Sequence, residues 1–241
     1  FDRAKSGYVN LLRSQVSGKK RHGDDKLMVA ARTAFLGAGF YDTLRDAVTA
    51  AVSAHVKKSA VILDAGCGEG YYAKAVCPGK AMTRIGFDIS KEAVRYAAGR
   101  YKDALWLCGT AAHLPVADNS IGLLTSLFAV TLPEEFLRVL RPDGAFIQVL
   151  AAPDHLLGLK NIIYPTLTEK PKDSVPELPG FVLERSEAVK FTFTVEGKQV
   201  QNLLSMTPHV FRISKAGADR LRQTEKLTDT ASCILGLYKA E

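Results

Sequence analysis

The chain has 241 residues, a net charge of +7 and a hydrophobic share of 47%. That suffices for one sizeable α/β domain with additional elements and a proper core. No apolar run reaches the length of a membrane span, and no basic-then-apolar secretion signal opens the sequence. The four cysteines, Cys67, Cys77, Cys108 and Cys233, are scattered without a C-x-x-C pair. That argues against a zinc knuckle or a dithiol redox site and for reduced thiols, so a cytoplasmic protein with no membrane partner is expected. The first residue is Phe1 rather than Met, which leaves room for a segment upstream.

Residues 1–26 are polar and dotted with glycine, apart from an apolar patch at Tyr8-Val9-Asn10-Leu11-Leu12. Basic residues gather there: Lys19, Lys20, Arg21 and His22, with Arg13 and Lys26 nearby. Such a cluster suits a polyanion such as RNA; a solvated loop is the other reading. Leu27, Ala31, Ala34 and Phe35 fall at helical spacing, and Leu44, Ala47, Val48, Ala51 and Val52 do so in a second helix with Asp42 as its N-cap.

Strands and helices then alternate. The pattern predicts strands at Val61–Ala65, Thr83–Asp88, Leu105–Cys108, Ile121–Leu127 and Ala145–Leu150. Helices are predicted at Gly70–Val76, Ser90–Tyr101 and Pro133–Leu140, with Ser90 as an N-cap, and Arg141-Pro142-Asp143-Gly144 as a turn into the fifth strand. This alternation predicts a doubly wound parallel sheet, in which ligands sit beyond the carboxyl ends of the strands. Asp64, Asp88, Thr110 and Phe128 all fall at or just past such ends. Further on, the sequence predicts a helix over His155–Tyr164, then a long loop with Pro165, Pro171, Pro176 and Pro179. A strand at Phe191–Val195, a helix over Val200–Met206 stopped by Pro208, and a last strand at Thr228–Tyr238 complete the expectation. No clean linker divides the sheet from its C-terminal extension, so residues 57–241 read as one domain. Residues 1–56 precede it as a segment whose helices cap the site.

The most informative stretch is Leu63-Asp64-Ala65-Gly66-Cys67-Gly68-Glu69-Gly70-Tyr71-Tyr72. A buried strand runs into three alternating glycines, which let backbone approach a ligand closely. Asp88, one strand later, can accept hydrogen bonds from both hydroxyls of a ribose. Together they describe a site for an adenosine-containing cofactor; the alternative is a tight strand-to-helix turn that binds nothing. The nicotinamide fingerprint G-x-G-x-x-G is not met, because the third glycine comes one residue early and Tyr71 stands where glycine is wanted. Asp64 would repel a diphosphate but attract a methionine ammonium. The pattern therefore favours S-adenosylmethionine over NAD. On this reading Asp64, Gly66, Gly68 and Gly70 hold the methionine end, Asp88 the ribose, Ile89 an adenine face, and Thr110 and Ala111 the adenine edge.

The chain resembles the 23S rRNA (guanine-N1)-methyltransferase family, RlmA type, across nearly its whole length. Four segments carry the likeness: Phe1-Asp2-x-Ala4-Lys5-x-Gly7-Tyr8-Val9-Asn10-Leu11, Ala34-Phe35-Leu36-x-Ala38-Gly39-x-Tyr41, His155-Leu156-x-x-Leu159-Lys160 and Leu204-Ser205-Met206-Thr207-Pro208. The last leans toward the branch linked to resistance against tylosin-like macrolides. The resemblance implies an α/β, Rossmann-like class I S-adenosylmethionine-dependent methyltransferase with an N-terminal helical extension. Its implied partner is 23S rRNA, and relatives often dimerise, which makes a homodimer the assembly to look for. It also implies cofactor contacts from Tyr41, Tyr72, Ala73 and His155.

Two departures stand out. Family members begin with a four-cysteine zinc module, and this sequence starts where that module would end. Zinc is expected only if such a module precedes it. Val130 stands where relatives usually carry proline, and Gly122 replaces a common aspartate, both expected near the methyl-transfer region. Two other readings therefore stay open: a small-molecule methyltransferase, and a non-catalytic module that binds cofactor and RNA. Glu69, Asp118, Glu134 and Glu135 are the acidic candidates on cofactor-side loops, but each taken singly reads first as a solvated charge, so the catalytic base is unassigned. Phe128 reads as core, with stacking on a target base as the alternative. Arg32, Arg45, Arg95 and Arg100 read as helix-surface arginines that can border an RNA groove.

Overall fold

The computed structural model describes residues 3–12, 23–57, 60–75, 82–167 and 175–241. Most of the basic cluster, Cys77 and Pro171 lie outside these residues, as does the end of the helix predicted over Gly70–Val76.

The apolar runs at residues 61–65, 83–88, 105–108 and 121–127 form β2 (Val61–Ala65), β3 (Thr83–Asp88), β4 (Leu105–Cys108) and β5 (Ile121–Leu127). Their central residues are buried in unbroken runs, as expected of strands covered on both faces. β6 (Leu140–Ala151), β7 (Phe181–Glu196) and β8 (Lys226–Ala240) follow, and β1 (Tyr8–Asn10) comes from the N-terminal apolar patch. Among the described residues these make one sheet in the order β1-β4-β3-β2-β5-β6-β8-β7. From β1 to β6 every neighbouring pair is parallel. The parallel sheet expected from the alternating strands is extended at its far side, where β8 runs antiparallel to both β6 and β7.

The order reverses at β2. From there β3 and β4 are laid to one side, while β5 starts the other. A crevice opens at the carboxyl end of such a switch point, because the connections leave in opposite directions. The glycine turn leaves β2 at that place.

Helices cover both faces. They are α1 (Lys26–Gly37), α2 (Asp42–His55), α3 (Tyr71–Ala75), α4 (Lys91–Arg100), α5 (Pro133–Val139), α6 (Leu157–Ile163), α7 (Lys198–Ser205) and α8 (Lys215–Gln223). Phe35, Leu44, Val48 and Val52 on α1 and α2 are fully buried and join a core with β2, β5, β6, α6, α7 and the β7–β8 pair. Phe136 and Val139 of α5 close the opposite face over Leu63, Leu124 and Phe146. Trp106 and Ala73 pack with α4 beneath the glycine turn.

Several local expectations change. α1 is capped by Asp25, whose carboxylate accepts from the Leu27 and Met28 N–H groups. Asp42 is not the N-cap of α2; it is the first helical residue after Tyr41, and its carboxylate bonds Arg45 and the Tyr71 hydroxyl instead. Arg141–Gly144 is an irregularity within β6, where pairing jumps from Ile121–Leu140 to Leu123–Ala145. The loop expected through residue 190 ends near Gly180, because β7 takes in Phe181–Lys190. That half of the strand is charged and lies exposed at the sheet edge, so apolar alternation could not reveal it. Between β7 and β8, the excursion through α7, a 3-10 turn at Pro208–Phe211 and α8 is closed by a Gly197 N–H to Glu225 C=O bond of 2.8 Å.

α6 starts without a capping side chain of its own; Leu156, its first flanking residue, sits in the left-handed region. The cap comes from β8. Buried Asp229 accepts from the N–H groups of Gly158 (2.9 Å) and Leu159 (2.7 Å). Asp229→Ala leaves both N–H groups unpaired and is expected to lower stability by about 1–3 kcal/mol, read as a lower urea midpoint. An unchanged midpoint would contradict this assignment.

Candidate functional site

The turn after β2 is built by three positive-φ glycines, Gly66 (91°), Gly68 (53°) and Gly70 (87°). Two of them are required by neighbours. A side chain at Gly66 would overlap the methyl of Ala129, and one at Gly70 would lie 2.7 Å from the Trp106 ring. A Cβ on Gly68 would meet nothing within 4 Å. The space above Gly68 is thus open, and we call it the cradle because a ligand can approach the backbone closely there.

Asp88 fixes that turn. Its carboxylate accepts from the Gly68 N–H at 2.9 Å and from the Ser90 N–H at 2.7 Å. The backbone joins in: Gly66 and Cys67 donate to the Phe87 carbonyl, and Gly109 donates to the Asp88 carbonyl. The ends of β2, β3 and β4 are therefore clamped together. Asp64, 2% exposed, accepts from the Thr125 hydroxyl at 2.8 Å, which ties β2 to β5 across the switch point. Burial raises the Asp64 carboxyl to about 7; the Thr125 bond opposes this, while the Asp88 and Glu69 charges add to it. Asp88 is raised by burial too, with the Ser90 and Gly68 N–H groups pulling it back.

The remaining predicted residues divide into two groups. Ile89, Thr110 and Ala111 follow β3 and β4 beside Asp88. Ile89 accepts from the Cys108 thiol through its carbonyl and lies under Gly23; Thr110 is exposed, and Ala111 packs on the Leu63–Leu107 side of the core. Tyr41, Tyr72 and His155 lie on the other flank. The Tyr41 hydroxyl is 3.4 Å from His155 Nε2, and His155 Nδ1 is 2.9 Å from the Ser232 carbonyl. Nδ1 also lies 3.2 Å from the Ser232 N–H, so the ring is held between the β8 backbone and the Tyr41 hydroxyl. Burial lowers His155 to about 4, so the ring is neutral at physiological pH. Ala73 is separate from both groups, since its side chain packs under the turn with Cys67 and Trp106.

Phe128 lies beside His155, ring centroids 5.9 Å apart, and is 40% exposed. The expectation that it is a core residue is corrected. Its φ of 56° is unusual for a bulky side chain, and Leu156 (55°) shares that conformation next to His155. Val130 is 73% exposed in the same post-β5 loop. Gly122 is not near it. It stands at the start of β5, five residues from Leu127 and so about 17 Å along the strand, where a Cβ would press on Ala60.

Among the acidic candidates, Asp118 and Glu135 are engaged by Arg138 at 2.5 and 2.7 Å, and Glu134 is exposed at the start of α5. Glu69 is not a solvated charge. It is 5% exposed, and among the described residues its Oε1 has no hydrogen-bond partner. Arg32 is half-buried rather than a plain surface residue; it pairs with Asp24 at 2.7 Å and donates to the Met206 carbonyl at 2.9 Å. Arg45, Arg95 and Arg100 bond to Asp42 and Asp46, Glu92 and Tyr96 on their own helices. The burial of Glu69 and the pairing of Arg32 were not legible in the sequence, because spacing does not give the direction of a side chain or its distant partners. Asp24, Asp64, Glu69 and Asp88 act on one another electrostatically with Arg32 as the nearby cation. Such a pocket attracts positive charge and repels a diphosphate. Among the described residues, no group of three or more His, Cys, Asp or Glu side chains is placed to hold a metal ion. No described helix is long and apolar enough to cross a membrane.

Comparison with known proteins agrees with this chemistry. Residues 63–148 match a methyltransferase domain model. A Micromonospora griseorubida protein assigned as a 23S rRNA (guanine-N(1)-)-methyltransferase is 35% identical, covering 99% of this chain and 87% of its own. The chain belongs to the 23S rRNA (guanine-N(1)-)-methyltransferase family. A Bacillus subtilis member, YxjB, is 28% identical over 98% of this chain and 87% of its own. The Streptomyces fradiae 23S rRNA (guanine(748)-N(1))-methyltransferase is 35% identical over 66% of this chain and 57% of its own. Among solved structures, a type II methyltransferase from Anaeromyxobacter dehalogenans superposes with a TM-score of 0.56, covering 80% of this chain and 95% of that one, at 14% identity. The Haloferax volcanii methyltransferase complexed with its Trm112 activator gives 0.54, over 92% and 99%, at 17% identity. The fold of this family member is the Rossmann-like class I methyltransferase fold, extended N-terminally by β1, α1 and α2.

Gly68→Ala places a methyl in the cradle without touching protein. It is expected to cost about 1–2 kcal/mol of stability from the left-handed backbone and to remove cofactor binding in calorimetry. A folded Gly68→Ala protein that binds cofactor like the parent would show that the cradle is not the site.

Proposed function

We propose that this protein transfers the methyl group of S-adenosylmethionine to N1 of a guanine in 23S rRNA. The observation that carries the reading is the similarity to the Micromonospora relative over 99% of the chain, which reaches far beyond the cofactor turn. The open space above Gly68 and the acidic groups near it suit a ligand that approaches the backbone closely and carries positive charge. When bound, that cofactor supplies an electrophilic methyl group on a sulfonium.

The chain's own residues then align and exclude water. Asp64 and the backbone of Gly66, Gly68 and Gly70 face the methionine end. The lone pairs of Asp88 not used by Gly68 and Ser90 accept from the ribose. Ile89, Thr110 and Ala111 border the adenine, while Tyr41, Tyr72 and His155 wall the opposite flank and Ala73 supports the turn from below. The neutral His155 and the protonated Tyr41 add no charge there. Phe128 offers its ring as the platform on which the extruded guanine stacks. Its left-handed backbone is pinned by a 2.9 Å N–H bond to the Val149 carbonyl, which keeps the ring at the mouth. Asp118 and Glu135, held by Arg138, are set aside as acceptors of the guanine N1 proton.

The test is incubation with labelled S-adenosylmethionine and unmodified 23S rRNA, followed by primer extension, since a methyl on N1 blocks base pairing. The expected result is one new stop at a guanine, with position 748 examined first. Phe128→Ala is expected to lower turnover about tenfold or more, as loss of a base stack of about 1–3 kcal/mol implies, with cofactor affinity unchanged. Incorporation into no ribosomal nucleotide would refute the assignment.

A further inference from the structure

The segment Leu204-Ser205-Met206-Thr207-Pro208 leads into a surface that the cofactor site does not use. The 3-10 turn that follows, Pro208–Phe211, is anchored from several sides. Buried Thr207 donates its hydroxyl to the Leu204 carbonyl at 2.8 Å, and the Met206 carbonyl accepts from Arg32 of α1 at 2.9 Å. At the end of α6 the Tyr164 hydroxyl meets His209 Nδ1 at 2.8 Å. Val210 and Ile213 pack against the core shared with α1, α6 and α7. Between them in sequence, Phe211 stands 74% exposed with the exposed Arg212 beside it. α8 packs onto the same end of α6: Arg220 Nε donates to the Ile162 carbonyl at 2.7 Å, and a Cβ on Gly217 would collide with the Ile163 carbonyl oxygen. This brings the exposed Lys215 to the same cluster. Arg212 and Lys215 have no ion pair among the described residues, and Asp219 of α8 is taken by Arg222.

A phenyl ring held in water between two buried neighbours forgoes the gain of burying it. Cations without partners beside it would suit any polyanion, but the ring selects one with flat faces. Single-stranded nucleic acid has both, since its bases stack on aromatic rings and its phosphates pair with cations. The patch is also close to the site. α6 has seven residues, about 10 Å of helix, and its other end begins beside His155 and Phe128, where Leu157 is 40% exposed. One short strand can therefore reach both Phe128 and Phe211.

Resting on the rRNA reading above, we infer that Phe211, Arg212 and Lys215 form a second RNA contact, which holds the strand flanking the target guanine. A flanking base stacks on Phe211, and neighbouring phosphates pair with Arg212 and Lys215. The target guanine is turned out toward Phe128 at the other end of α6. That helix sets the spacing between the two contacts, and the Tyr164–His209 bond fixes the turn that carries Phe211 to it.

Binding of unmodified 23S rRNA at several salt concentrations tests this, with calorimetry of S-adenosylhomocysteine and the urea midpoint measured alongside. Phe211→Ala is expected to weaken RNA binding about tenfold, the loss of one base stack. Cofactor-product affinity and the midpoint stay as in the parent, because an exposed ring supports no packing. Arg212→Gln together with Lys215→Gln is expected to flatten the slope of log affinity against log salt by about 1.4, at about 0.7 for each single-strand phosphate contact. The two variants report independently, so failure of one to fold leaves the other to decide. RNA affinity and salt slope equal to the parent's in both overturn the second contact and leave the methyl-transfer reading intact. Weaker RNA binding that comes with an equal loss of S-adenosylhomocysteine affinity or a lower midpoint overturns it as well, since the patch is then only structural. A parent protein that binds no 23S rRNA overturns the rRNA reading and the second contact with it.

Discussion

One carboxylate, Asp88, holds the site in shape. By accepting from Gly68 and Ser90 it fixes the glycine turn of β2 to the start of α4, while its carbonyl receives Gly109 from the end of β4. Three strand ends are thereby locked at the point where the sheet changes direction. A charge-assisted bond to a backbone N–H is stronger than a neutral one. It also holds Gly68 in the one conformation that leaves the space above it open. Removing this carboxylate would free the turn and, with it, every group placed by the turn: Glu69, Tyr72 and the start of α3.

A second constraint gathers on the opposite flank. His155 is pinned by Ser232 of β8 and faces Tyr41 of the N-terminal helices, and the residues beside it, Phe128 and Leu156, both carry left-handed backbone. Non-glycine residues in that region cost of order 1–3 kcal/mol each and persist only where surroundings over-determine them. Asp229, buried in β8, holds the start of α6 from below. Of the three described non-glycine residues with left-handed backbone, Asn119, Phe128 and Leu156, two therefore flank His155. The antiparallel β7–β8 pair contributes here as well, because it is β8 that positions His155 and α6.

Much of this was legible in the sequence. The apolar runs from Val61 to Leu127 gave their strands nearly to the residue, because strands buried on both faces read as continuous hydrophobic segments. Ser90 read correctly as a cap, since its hydroxyl accepts from the Ala93 N–H within one turn. The readings that failed depend on distant partners. Asp42 looked like a local cap but was recruited by Tyr71, twenty-nine positions along. Phe181–Lys190 looked like loop because an edge strand carries charges on its open face. Glu69 looked solvated because nothing in a glycine turn tells which way its one long side chain points. Gly122 looked close to the reaction because its strand leads into Phe128, yet it stands at the far end of that strand.

The account depends on this acidic, glycine-built crevice gripping a positively charged methyl donor rather than a dinucleotide. Titration calorimetry of the protein with S-adenosylmethionine and, separately, with NADH asks that directly. Saturable heat with S-adenosylmethionine and none with NADH is the predicted result; tight binding of NADH with no heat from S-adenosylmethionine or S-adenosylhomocysteine would contradict it.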